Sequence, residues 1–240
     1  MDFTLSDEEQ AINDLVSQIL GDKATHERLK ELAASGDRID AEAWAALAEA
    51  GVLGAAVPVE HGGLGLGYLA TAMAIQQVGA TASPVPLLAT AVMGAMPIAE
   101  FGTEAQKAAH LPGIADGSLI VSAALYEGGT VASEPETVAV AEGDGYRLDG
   151  VKPMVEAGLD AGLVLVPAKM PDGSCAVFLV PADADGLGRV PVEVTTGQKQ
   201  ARLELNGVAV GADALLGDGT VGGAEIVEWI ELRANCAMCV

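Results

Sequence analysis

Positive charge is scarce in this chain: 12 lysines and arginines stand against 34 aspartates and glutamates, for a formal net charge of -22. Nucleic acid and anionic membrane surfaces would be repelled, which removes both from the expected partners. An anionic ligand would require a local basic patch or helix amino termini. Lys152, Lys169, Lys199 and Arg202 are the candidates in the second half, although each taken singly reads first as a solvated surface charge. Cysteine is scarce too. Cys175, Cys236 and Cys239 form an odd set that suits reduced thiols in a reducing compartment. The Cys236-x-x-Cys239 spacing has no second pair to complete a zinc site and lies in a helix-like tail, where packing outweighs metal or redox chemistry. Long apolar runs are missing as well. None reaches the roughly 18 residues that suggest a membrane span, because Gln, Glu, Gly and Pro interrupt each one. Met1-Asp2-Phe3-Thr4 carries no basic start followed by an apolar run and cleavage site, so a cytoplasmic location is expected.

What the chain does have is a 50% share of hydrophobic residues over 240 positions, enough for one large or two modest packed domains. Ser6 and Glu9 form a capping box, and Ile12, Leu15, Val16, Ile19 and Leu20 follow at the spacing of one buried helical face. Asp40 starts a second helix with Trp44, Leu47 and Ala48 inward and Gly51 placed to end it. After the short apolar link 52–57 and the turn His61-Gly62-Gly63-Leu64-Gly65, helical periodicity covers Tyr68 to Val78 with Gly79 as the stop. It covers Pro86 to Ala95 again, and Thr103 with Gln106 caps one more short helix. Beyond Gly117 the period changes to short Val- and Leu-rich runs separated by turn dipeptides. Runs 137–142 and 146–152 flank Gly143-Asp144-Gly145, while 163–167 and 175–180 flank Pro171-Asp172-Gly173, two hairpin signals; 190–194 and 201–205 add further strands. A helical period returns after Gly219, with Val227, Ile230, Ala234 and Met238 on one side.

The expected fold class is therefore α+β: an amino-terminal all-helical domain, a small antiparallel β-barrel or sheet domain, and the start of a further helix. The expected boundaries are 1–117, 118–218 and 219–240. The glycines at 62, 63, 65 and 67 are followed by no lysine and no parallel strand-turn-helix unit, so they read as a tight reversal rather than a phosphate loop. His61 in that turn reads as capping or solvent-exposed rather than ligand-binding. Ser133-x-x-Glu136 and the scattered acidic residues make no metal constellation.

Three ordered pieces carry a more specific signal: His61-Gly62-Gly63-Leu64-Gly65, then Phe101-Gly102-Thr103-Glu104-Ala105-Gln106-Lys107, then Leu111-Pro112-Gly113 leading through Asp116-Gly117 into a strand. In this order and spacing the chain resembles the amino-terminal helical and middle β domains of the acyl-CoA dehydrogenases. The resemblance implies an oxidoreductase that uses FAD to place an α,β double bond in an acyl-CoA thioester, in fatty acid or lipid metabolism. It also implies a homo- or hetero-oligomer of acyl-CoA dehydrogenase subunits, with an electron-transfer flavoprotein as the electron acceptor. The family's base is usually a glutamate on a carboxy-terminal four-helix domain; the chain reaches Val240 before that domain, and no residue matches the base.

By the same resemblance, the flavin ring would rest on two segments, Ala124-Leu125-Tyr126-Glu127 and Lys152-Pro153-Met154-Val155-Glu156-Ala157. Leu125, Tyr126, Met154 and Glu156 are the candidate cofactor-binding residues. Tyr126 stands where the family has threonine, Met154 where it has tryptophan, and Glu156 where it has a donating hydroxyl; an ionised carboxylate cannot donate. The departures leave two readings open, a divergent working flavin site or a flavin-free subunit of a heteromeric enzyme, beside a plainer third in which Glu156 faces solvent at a strand end, which favours the first. With covering helices absent, the Val227, Ile230, Ala234 stripe is expected to be exposed and to drive self-association or partner binding.

Overall fold

The computed structural model describes residues 5–36, 39–195 and 197–239. The expectation drawn from Met1-Asp2-Phe3-Thr4, and the side chain of Lys199, fall outside the described residues. Among the described residues the chain forms seven α-helices and seven strands. α1 (Asp7–Lys23) carries the expected capping box and buries Ile12, Val16 and Leu20. α2 (His26–Ser35) has only Leu32 buried, too weak an apolar pattern to announce itself. It is anchored by charge instead: Arg28 Nη2 lies 3.0 Å from Asp40 Oδ1, and Asp40 also caps α3 (Ala41–Glu49). α4 (Gly67–Thr81) runs through Gly79 to Thr81, so the expected stop is one turn early; the left-handed residue that ends the helix is Ala82, at φ 50°. A π-helical stretch, Leu88–Ala95, continues directly into α5 (Met96–Phe101). α6 (Glu104–Ala115) starts on the Thr103–Gln106 capping box and runs past Pro112.

The glycine turn is a packing device. A Cβ on Gly63 would come 2.5 Å from the Val57 carbonyl carbon, and Gly62 and Gly65 adopt positive φ. His61 sits partly exposed in the 3-10 turn Val59–His61, in keeping with a turn role.

β1 (Val121–Ala123), β2 (Val138–Glu142), β3 (Gly145–Glu156), β4 (Leu163–Lys169), β5 (Cys175–Pro181), β6 (Leu187–Glu193) and β7 (Lys199–Gly211) form one curled sheet. Antiparallel pairs dominate, and both expected hairpins form: β2 with β3, β4 with β5. The sheet also holds two parallel pairings that the hairpin signals did not foretell. β5 occupies the whole of one edge of β4, while β1 pairs with Leu163 to Leu165 and β2 with Lys169 on the other. β4 is buried on both faces, which explains its unbroken apolar run. Leu163, Leu165, Val177 and Leu179 pack with Ile98, Leu111 and Ile114 of the helices. Val164, Val166, Phe178 and Val180 face Leu148, Val155, Leu203 and Leu205 across the curl.

Gln106 fastens the helical part to the sheet. Its Nε2 donates to the carbonyls of Asp213 and Leu215, and its Oε1 accepts from the amides of Gly217 and Thr103, at 2.7 to 3.0 Å. A single buried side chain thus satisfies the capping box of α6 and the segment leading to α7 (Gly223–Met238). The expectation of an exposed stripe on α7 is overturned. Val227 and Ile230 are fully buried and Ala234 nearly so, because α7 lies against this chain's own α4, α5, π-helical stretch and β5. Only Met238 of the expected stripe is exposed. Among the described residues, no helix is long and apolar enough to cross a membrane.

The left-handed residue after α4 yields a test. Ala82 is exposed, so removing its Cβ relieves the backbone strain without loss of packing. Ala82→Gly is expected to stabilise the chain by about 0.5–1 kcal/mol, measured by urea unfolding.

Candidate functional site

The two segments singled out in the sequence lie side by side. Ser122 Oγ on β1 donates to the main-chain carbonyl of Glu156 on β3 at 2.6 Å. Five residues after Ser122 and four before Glu156, a buried ion pair makes the second link: Lys152 Nζ lies 2.5 Å from Glu127 Oε1. Glu127 also accepts from the amides of Glu136 and Thr137 and from the Thr137 hydroxyl. Lys152 donates in addition to the Pro167 carbonyl at 2.9 Å. That carbonyl lies on the edge of β4 between the stretches taken by β1 and β2, so the ammonium completes an edge where the strand ladder is interrupted. Thr137 presses against β3 where it meets Gly150; a Cβ there would come 2.7 Å from Thr137 Cα.

Lys152 was an expected surface cation for an anionic ligand. Its side chain is fully buried, so it cannot serve. Arg202 is already engaged by Glu204 at 2.8 Å, and Lys169 is exposed. Burial works against the charge on Glu127, but the hydrogen bonds from Lys152 and Thr137 outweigh it and hold the carboxyl below the ordinary range. Burial pulls the Lys152 ammonium down against the opposing hydrogen bond to Glu127. The Cys175 thiol near this pair is pushed up to about 11, chiefly by burial, which makes it an inert packing group.

The outward aim of the candidate residues has a local cause. Lys152 pairs with Leu203 and Val155 with Ala201, so Pro153 and Met154 together oppose the single residue Arg202: a β-bulge. Proline has no amide hydrogen to give a ladder, which suits this position. The extra residue flips the alternation. Leu148 and Lys152 face inward before the bulge, Val155 and Ala157 after it, and Met154 and Glu156 are turned out. Ala157 then takes φ 51° to end the strand, at the position where the resembled pattern has asparagine, a residue that accepts this conformation more readily.

Leu125 is buried in the core that joins helices and sheet, so it supports the site from beneath instead of presenting its side chain. Tyr126 and Met154 are exposed, and the Tyr126 hydroxyl lies over Gly128. Glu156 is half-buried, and burial alone pushes its carboxyl above the ordinary range. Directly across the ladder stands Gln200, whose Oε1 is buried with no hydrogen-bond partner. Gln200, Ser122 and the Glu127–Lys152 pairing were not singled out in the sequence. Lysine and glutamate in a strand-rich region read as surface charges, and only the register brings Gln200 to Glu156. A depression of about 380 Å³ lined by His110, Pro181, Asp183 and Asp213 lies elsewhere and touches none of the candidate residues. Among the described residues no cluster could hold a metal ion.

Two outcomes are expected. Lys152→Met strands a buried carboxylate and should destabilise the chain by about 3–5 kcal/mol, while Glu127→Gln with Lys152→Met recovers much of the loss in the same urea experiment. Glu156 carries the opposite sign. Its folded-state proton affinity is raised, so its contribution to stability is full below the ordinary glutamate range and is lost as pH rises through the folded value. Glu156→Gln should therefore be more stable than wild type at pH 8, with the advantage gone below about pH 4.

Comparison with known proteins accounts for this arrangement. The family model "Acyl-CoA dehydrogenase, N-terminal domain" matches residues 6–118. The acyl-CoA dehydrogenase FadE27 of Mycobacterium tuberculosis is 33% identical over 230 residues, covering 96% of this chain and 59% of that protein. The ChsE4-ChsE5 complex of Mycobacterium tuberculosis superposes with a TM-score of 0.90 at 32% identity, covering 99% of this chain and 63% of the other. A variant of the Tcur3481-Tcur3483 steroid ACAD gives a TM-score of 0.88 at 38% identity, covering 98% and 62%. The chain thus spans about three fifths of the length of the relatives it matches. With the matching motifs, helical part and curled sheet all in place, this chain belongs to the acyl-CoA dehydrogenase family.

Proposed function

We propose that this chain is the flavin-carrying part of an acyl-CoA dehydrogenase, binding FAD on the face of Tyr126, Met154 and Glu156 above Leu125. It would act in α,β-dehydrogenation of an acyl-CoA thioester, within a homo- or hetero-oligomer of acyl-CoA dehydrogenase subunits in the cytoplasm. In this reading 1–117 is the helical domain, 118–218 the β domain, and 219–240 the first helix of a carboxy-terminal helical domain. The observation that carries it is the juxtaposition of the two ring-contact segments, tied at both ends by Ser122 to Glu156 and by Glu127 to Lys152. The residues present suit a flavin ring: exposed Met154 and Tyr126 offer apolar cover, and the unpartnered Gln200 Oε1 beside Glu156 offers polar complementarity. When bound, the flavin supplies the acceptor for hydride from the β carbon. This chain's part is to hold the ring, exclude water with Met154 and Tyr126, and keep both segments in register through the buried pair.

No carboxylate of this chain is assigned as the base that takes the α proton, so these 240 residues alone should not complete the reaction. An electron-transfer flavoprotein is the expected electron acceptor. A second reading has its own support: Tyr126, Met154 and Glu156 all depart from the family's flavin-contact residues, and one similar structure is a complex of ChsE4 with ChsE5. In that reading the chain is a flavin-free partner subunit.

Absorbance spectra of the purified chain after incubation with FAD and gel filtration decide between them. Retained flavin absorbance is the expected result; a colourless chain would overturn the flavin reading in favour of the partner subunit. Assay of the same chain with an acyl-CoA and an artificial electron acceptor should show no turnover above the blank, and turnover would sink the claim that a further domain is needed.

A further inference from the structure

The end of the β3–β7 ladder holds two polar side chains whose needs are complementary and unmet. Glu156 and Gln200 are direct antiparallel partners, so their side chains stand on the same face of the sheet, with Cβ atoms about 5 Å apart. The neighbouring pair, Val155 and Ala201, is fully buried on the opposite face, which puts Glu156 and Gln200 on the side toward which the bulge turns Met154. Gln200 Oε1 is buried and lacks a donor. The main chain at Glu156 is fixed by Ser122, so the side chain is presented from a held position.

Among the described residues, no ion pair or hydrogen bond joins a charged neighbour to the carboxyl. Lys152 faces inward and is paired with Glu127. On β7, Arg202 is held by Glu204; beside the turn after β3, Arg189 of β6 donates to the carbonyls of Leu159 and Ala161. Asp160 on that turn has an interaction of its own, and the Lys199 side chain lies outside the described residues. Burial is the single cause that displaces the Glu156 acid, in the direction that retains its proton.

We propose that Glu156 and Gln200 together form the polar recognition edge for the ligand on this face, Glu156 donating as a carboxylic acid and Gln200 Oε1 accepting from the ligand. The proposal rests on the flavin reading above and deepens it. An acceptor and a donor about one residue-pair apart select a planar heterocycle whose edge sets a carbonyl beside an N–H, as the pyrimidine end of a flavin does. Glu156 thereby replaces the hydroxyl of the resembled pattern with a donor that works only while protonated, and ligand retention becomes dependent on pH.

The test uses the full chain and FAD itself, with affinity followed by flavin fluorescence from pH 5 to pH 9. Wild type should bind more weakly as pH rises through the Glu156 titration, by up to about tenfold per unit. Glu156→Gln, which donates at every pH, should flatten that profile, and Gln200→Leu should weaken binding at all pH values. Flavin bound with parallel profiles for wild type and Glu156→Gln would overturn this proposal and leave the flavin reading standing. No binding by any variant at any pH would overturn both. A readout without flavin guards the assignment: Gln200→Leu should leave the stability of the free chain at pH 5 unchanged or raised, because it removes an unsatisfied buried acceptor. A clear loss of stability at pH 5 would mean that Gln200 is already bonded to Glu156, and the recognition role would fall.

Discussion

A lysine and a glutamate with almost no exposure to water must find each other or unfold the region around them, and the middle of this protein is arranged to meet that demand. Lys152 comes from the long strand β3, Glu127 from the loop after β1, and the pair forms where β4 has no strand beside it. Two amides and one hydroxyl of the loop and one carbonyl of β4 surround the two groups. Removing two charges from water is costly, so the arrangement is justified less by net stabilisation than by uniqueness. The pair joins the 124–137 loop to β3, and the candidate ring-contact residues sit on that loop and on the strand it grips.

Position and chemistry are separated along β3. Lys152, before the bulge, serves the fold; Met154, in it, and Glu156, beyond it, face the surface. One extra residue at Pro153–Met154 makes the division, because it reverses which side chains face the core. The two glutamates of the site accordingly respond to their surroundings in opposite ways. Glu127 is wrapped in donors and stays ionised, whereas Glu156 is desolvated, with no partner among the described residues, and is shifted toward its neutral form. Residues at the surface end can be substituted without disturbing the pair that holds the loop.

Much of this was legible in the residues. The Ser6–Glu9 and Thr103–Gln106 boxes, the Asp40 cap, the Gly51 stop and both hairpins are local signals, and local signals survive translation into structure. What escaped notice depends on partners distant in sequence. α2 is held by Arg28 to Asp40 and has little apolar pattern of its own. The α4 stop moved from Gly79 to Ala82 because the helix keeps its hydrogen bonds through a residue that merely permits termination. The stripe on α7 reads as uncovered from its own segment alone, yet this chain's own helices and β5 cover it. At the site, the type of each residue was visible, but burial and register were not. Those two properties turned Lys152 from a surface cation into an internal strut and brought Gln200 to Glu156.

The π-helical stretch Leu88–Ala95 has a consequence for how this chain can vary in length. Leu87, Ala91 and Val92 pack into the core formed by α1, α3 and α4, while Ala95 and Ile98 pack into the core shared with the sheet. Between them, Thr90 Oγ1 donates to the Val121 carbonyl, and Gly94 touches β1 so closely that a Cβ would come 2.7 Å from that of Val121. The wider winding spreads an additional residue over these turns, and so keeps both faces in phase. Deleting the additional residue would let the stretch return to α pitch with both faces still in phase, whereas deleting one from the regular α turns that follow would rotate everything beyond it by about 100°. Loss of a residue, harmless in most surface loops, is here absorbed in the π-helical stretch and disruptive in the regular turns beside it.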